Sequence, residues 1–108
     1  MIKINFYKKH NSIVKFTMDG HAGFSEGDDI VCAAASSAAW MTVNGIENVA
    51  KVDCGYEQGD GYIFFILPDD LAQSQMQRTD LLLDSFYLYM IELEGQYPDY
   101  IKVTELEV

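Results

Sequence analysis

The chain has 108 residues, 49% hydrophobic and 22% charged, with 17 acids against 7 Lys and Arg and a net charge of −10. That length holds one domain with one hydrophobic core, and the composition is that of a globular chain, neither disordered nor repetitive. A chain this acidic repels phosphate backbones, which argues against direct nucleic-acid binding. It attracts a Lys/Arg-rich peptide or protein instead, although solubility alone would also account for the charge.

The N-terminus, MIKINFYKKH, lacks the apolar stretch of a signal peptide, and no apolar run is long enough to span a bilayer. A cytoplasmic protein with no membrane partner is expected. Ile2, Ile4 and Phe6 alternate with polar residues, and after a tight connection at His10-Asn11-Ser12 the alternation returns at Val14, Phe16 and Met18. Residues 1–19 therefore read as a hairpin. From Ile30 to about Ala50 the chain is rich in Ala and apolar nearly all round, which predicts a buried helix. Lys51 to Glu57 and Tyr62 to Leu67 flank the turn Gln58-Gly59-Asp60-Gly61 and predict a second hairpin. Pro68-Asp69-Asp70 reads as the entry to a second helix carrying Leu82, Phe86, Met90 and Leu93, with Gly95 near its end. Tyr100 to Val108 is rich in strand formers. The order β-β-α-β-β-α-β gives a two-layer α+β domain over residues 1–108, a mixed sheet packed against two helices.

Two cysteines, Cys32 and Cys54, do not make a disulfide framework, and the two histidines, His10 and His21, form no cluster of zinc spacing with them. No metal or cofactor is expected. The stretch that carries chemistry is GHAGFSEGDDIVCAAAS, residues 20–36. His21 falls just past the second strand, at the sheet edge. Asp28 or Asp29 is suited to cap the helix, which puts Cys32 in its first turn. There the helix dipole and unsatisfied backbone N–H groups favour thiolate, a neighbouring imidazole would activate it, and the same N–H groups would hold an oxyanion. The bland reading of the same residues is a small core cysteine and a turn histidine.

The stretch DGHAGFSEGDDIVCAAASS resembles the signature of the ribosomal-processing cysteine protease (Prp) family: Gly-His-Ala, a Gly-rich loop, then Asp-Ile-Val-Cys-Ala and a Ser. Chain length and element order are similar as well. The resemblance implies His21 and Cys32 as a catalytic dyad and, as activity, removal of a short N-terminal extension from large-subunit ribosomal protein twenty-seven. It also implies a homodimer. The segment between His and Cys is one residue shorter here than is usual in that family, within the flexible part of the loop. Asp29 matches the family's acidic position and would orient His21 or cap the helix. Ser36, one turn past Cys32, is a candidate supporting residue. Gly20, Ala22, Gly23 and Gly27 are expected to shape a loop that closes over substrate. Cys54, in the predicted strand, is expected to be inert, and His10 to be a turn residue. The competing reading is a non-catalytic acidic module that binds a basic ribosomal protein. Apolar surface on both helices, more than one small sheet covers, independently predicts the homodimer.

Overall fold

Strand β1 (Ile2–Lys9) buries Ile2, Ile4 and Phe6 and turns the residues between them away from the core, so the period-2 pattern read from the sequence is the one that folds. A computed structural model describes residues 1–27 and 29–108; Asp28, one of the two candidate caps, lies outside the described residues. His10 and Asn11, at φ +53 and +67, make a two-residue turn into β2 (Ser12–Asp19). The remaining elements are α1 (Ile30–Asn44), a π-helical turn (Gly45–Val49), β3 (Gly55–Gly59), β4 (Tyr62–Ile66), α2 (Gln73–Gln96) and β5 (Ile101–Glu107).

The sheet runs β3-β4-β2-β1-β5, antiparallel throughout except that β5 lies parallel to β1. Both helices cover the same face. The ring of Phe86 from α2 meets Phe6 and Phe16, which stacks on Phe65, while Trp40 from α1 meets Tyr56, the register partner of Phe65. Each fully buried Phe contributes about 1.5–3 kcal/mol of transfer free energy, so this aromatic group dominates the core. The expected mixed two-layer α+β architecture is the one observed.

Four features differ from the sequence reading. A bulge shifts the β1–β2 register between Tyr7 and Lys8, so Lys8 pairs with Ile13; Ile13 enters the core in place of Val14. Strand β3 starts at Gly55, not Lys51, and Val52 is buried in the connection before it. Helix α2 starts at Gln73, after Asp69 and Asp70 have turned, because the Ala72 N–H donates to Gln75 Oε1 at 2.8 Å. Its buried stripe is Thr79, Leu83, Phe86, Met90 and Leu93, with Leu82 half-buried. Helix α1 is not buried all round either: Met41 is 73% exposed, on a groove between the two helices.

Candidate active site

Strand β2 ends at Asp19, and Gly20 turns the chain at φ +92, a conformation open mainly to glycine. A Cβ at Gly20 would stand 2.5 Å from the Met1 carbonyl oxygen, so space forbids it as well. The Gly20 N–H donates to the Gly61 carbonyl at 2.8 Å, and the N-terminal ammonium donates to the His21 carbonyl at 2.6 Å. The main chain of His21 is thus tethered on both sides while its side chain is 64% exposed. Its Nε2 lies 3.5 Å from Asp60 Oδ1 at the tip of the β3–β4 hairpin. The imidazole rests on Gly61, where a Cβ would approach Nε2 to 2.8 Å.

Asp29 is the helix cap. Its Oδ1 accepts the N–H of Val31 and of Cys32, each at 3.0 Å, its Oδ2 accepts the Phe24 N–H at 3.0 Å, and its carbonyl accepts the Ala33 N–H. The Cys32 amide, foremost, and those of Phe24 and Val31 hold its carboxyl below the usual carboxylate value against partial desolvation. Two consequences follow. The Val31 and Cys32 amides are committed to the cap, so they are not the free oxyanion donors expected from the sequence. The carboxylate of Asp29 serves the helix and the loop, and among the described residues it makes no contact with His21.

Cys32 occupies the first turn of α1, and its Sγ accepts the backbone N–H of Ala22 at 3.0 Å. Helix dipole and amide place positive partial charge against the sulfur, while the Asp29 carboxylate, which the Cys32 thiol also reaches, opposes them. His21 and Cys32 both line one open cavity of about 520 Å³. Ser36 and Trp40 continue the Cys32 stripe along α1, Ile2 and Met18 contribute from the sheet, and residues 58–63 of the hairpin form the opposite side. Among the described residues no hydrogen bond joins the imidazole to the sulfur, although both groups line the one cavity.

The loop after His21 is anchored more firmly than glycine content implies. Ala22, assigned to the loop from sequence, is 3% exposed and tied to the sulfur, so the exposed segment begins at Gly23. Gly23 and Gly27 have φ +71 and +87 and open space around them. Between them the Phe24 ring meets Tyr97 and Tyr100 edge-on, with centroids at 5.6 and 5.2 Å. Cys54 stands apart, just before β3, where burial, followed by the charges of Glu47 and Asp53, pushes its thiol up to about 12. His10 is an exposed turn residue. Among the described residues no three His, Cys, Asp or Glu side chains gather as a metal site, and no helix is long and apolar enough to cross a membrane.

Sequence reasoning missed Asp60, Gly61, Gln58 and Trp40 as residues lining the cavity. The Asp60-Gly61 turn was legible; that β2–β4 pairing, Asp19 opposite Tyr62, brings it under the imidazole was not.

The family model described as cysteine protease Prp matches residues 1–102. The ribosomal processing cysteine protease Prp of Bacillus subtilis is 31% identical over 108 residues, spanning 96% of each chain. The Staphylococcus aureus protein of the same name is 33% identical over 90 residues, 81% of each chain. In the solved structure of the S. aureus protease with a covalently linked product peptide, the fold superposes with a TM-score of 0.87 at 25% identity, over 97% of this chain and 99% of that one. The family model covers most of the chain and the fold superposes on a solved relative, and the chain belongs to the Prp family of cysteine proteases.

Proposed function

We propose that this chain is the endopeptidase that removes a short N-terminal extension from large-subunit ribosomal protein twenty-seven, with Cys32 as nucleophile and His21 as general base and acid. The observation that carries the reading is the placement of His21 and Cys32 on one cavity, the sulfur at a helix N-terminus and facing the Ala22 amide. The curated relatives are named ribosomal processing proteases, and a solved relative holds a covalently linked product peptide. A net charge of −10 complements a basic ribosomal protein and acts chiefly on the rate of encounter.

The reaction begins when substrate enters the cavity and the exposed imidazole turns from Asp60 toward Sγ; such pairs commonly tighten only with substrate bound. His21 takes the thiol proton as the sulfur bonds to the scissile carbonyl carbon. The Ala22 N–H, already directed at the sulfur, then serves the developing oxyanion. The C–N bond breaks, His21 gives its proton to the leaving amine, and the extension remains on Cys32 as a thioester. His21 next deprotonates water, which releases the extension and returns the thiol. The enzyme works in the cytoplasm as a homodimer. Met41, Val49, Leu82 and Tyr89, around an apolar groove of about 660 Å³, supply the surface for the second copy.

Intact-mass analysis of the host's ribosomal protein, incubated with wild type, Cys32→Ala or His21→Ala, tests this. Shortening by the extension with wild type alone is expected. An unshortened protein with wild type, or shortening by Cys32→Ala, overturns the proposal.

A further inference from the structure

The fold treats the two edges of its sheet differently. On the β5 side, the Ile2 N–H donates to the Tyr100 carbonyl and the Val108 N–H to the Lys8 carbonyl, so even-numbered residues face β1 and odd-numbered ones face out. The first two outward donors are capped: Ile101 N–H by the Tyr97 carbonyl at 3.2 Å, and Val103 N–H by Glu94 Oε2 at 2.7 Å.

On the other side β3 is the last strand. The Leu67 N–H donates to the Val14 carbonyl and the Gly20 N–H to the Gly61 carbonyl, so odd-numbered residues of β4 bond to β2. Tyr62, Phe64 and Ile66 then bond to their β3 partners Gly59, Glu57 and Gly55. Tyr56 and Gln58 are left aiming their N–H and C=O groups outward, and among the described residues nothing caps them. An uncapped edge of this kind is a template for another strand.

This open edge borders the cavity. Gln58 lines it together with Cys32, Ser36 and Trp40, which follow one another at helical spacing from the sulfur. At the far end of that stripe the Trp40 and Tyr56 rings meet edge-on, with centroids 5.8 Å apart. A chain leaving the sulfur along the stripe arrives at the edge of β3.

We infer that the substrate binds by strand addition: its segment on one side of the scissile bond pairs with the main chain of Tyr56 and Gln58, over Trp40. The inference rests on the protease reading and deepens it. Main-chain pairing supplies affinity for an extended peptide, while alternate side chains meet the Trp40 side of the cleft. Glu57 and Asp60 add negative charge that suits a basic peptide.

The test uses a fluorescein-labelled peptide spanning the extension junction, its binding to the Cys32→Ala variant read by anisotropy. Single N-methyl groups are placed along the peptide, each removing one N–H. Affinity is expected to fall about tenfold at methylated positions two residues apart and far less at the position between them, since one main-chain hydrogen bond is worth about that factor. In the same background Gln58→Pro, which removes the outward N–H, is expected to weaken binding about tenfold more than Gln58→Ala. Should Gln58→Pro fail to fold, the methyl scan decides alone. Insensitivity to every N-methyl group overturns the inference, as does equal binding by folded Gln58→Pro and Gln58→Ala. Conversion of a dimer to a monomer by Gln58→Pro also overturns it, because a second copy then occupies the edge. A peptide cut by wild type without the alternation refutes strand addition and leaves the protease reading intact. A peptide bound with the alternation but never cut does the reverse.

Discussion

Replacing Gly61 by alanine separates what the hairpin does for stability from what it does for catalysis. Gly61 has φ +66, and an alanine held there costs about 1–2 kcal/mol of backbone strain. For a chain of this length that lowers the melting temperature by roughly 4–8 °C. The added Cβ would also stand 2.8 Å from His21 Nε2. The imidazole is exposed, so the contact costs little stability, but the ring, the proposed base, is displaced from its resting place. A displacement on the order of 1 Å in a catalytic group lowers turnover by up to about a hundredfold. Gly61→Asn isolates the second effect, because asparagine tolerates the left-handed region while still carrying a Cβ. Melting curves and junction-peptide cleavage are to be measured for both variants. Gly61→Ala should be less stable and slow; Gly61→Asn should recover most of the stability and stay slow. Recovery of activity together with stability in Gly61→Asn would refute the steric argument, as would wild-type turnover by Gly61→Ala.

Asp29→Asn should lower the melting temperature near neutral pH, because its carboxylate, held below the usual value, stabilises the fold above pH 3.8; that contribution is lost as pH falls through the depressed folded value. The gap from wild type should therefore close on acidification, and a gap unchanged by pH contradicts the capping role. Iodoacetamide at neutral pH, followed by peptide mass spectrometry, should label Cys32 in its open cavity well before Cys54, whose thiol is pushed up to about 12. Equal labelling of the two would count against this. Sedimentation at micromolar concentration should give a dimer for wild type and a monomer for Met41→Glu, since Met41 is exposed on the groove between the helices. A wild-type monomer would leave that apolar groove unexplained.

The sequence was most legible where a period or a motif acts locally. Alternation in residues 2–6 and the 3–4 spacing along α2 report burial directly, and Asp29 and Cys32 stand at their positions because capping is a short-range rule. Legibility failed where one residue or one distant contact redirects the chain. The β1–β2 bulge reassigns Ile13 and Val14 without changing composition, and the Gln75 side chain sets the start of α2 later than two aspartates suggest. The site was half legible for the same reason. His21 and Cys32 belong to one stretch, but Asp60 and Gly61 reach the imidazole only through the pairing of β2 with β4. The commitment of the Val31 and Cys32 amides to Asp29 follows from the same capping rule, and it conflicts with the expectation of free oxyanion donors at the helix start.

The central claim is that the extension is transferred to Cys32 before water releases it. Rapid quenching of wild-type protein with the junction peptide, followed by intact and peptide mass spectrometry, observes that transfer directly. The account predicts an adduct equal in mass to the extension fragment, mapped to the peptide containing Cys32 and missing from His21→Ala. An adduct on another residue, or continued cleavage by Cys32→Ala, would contradict it.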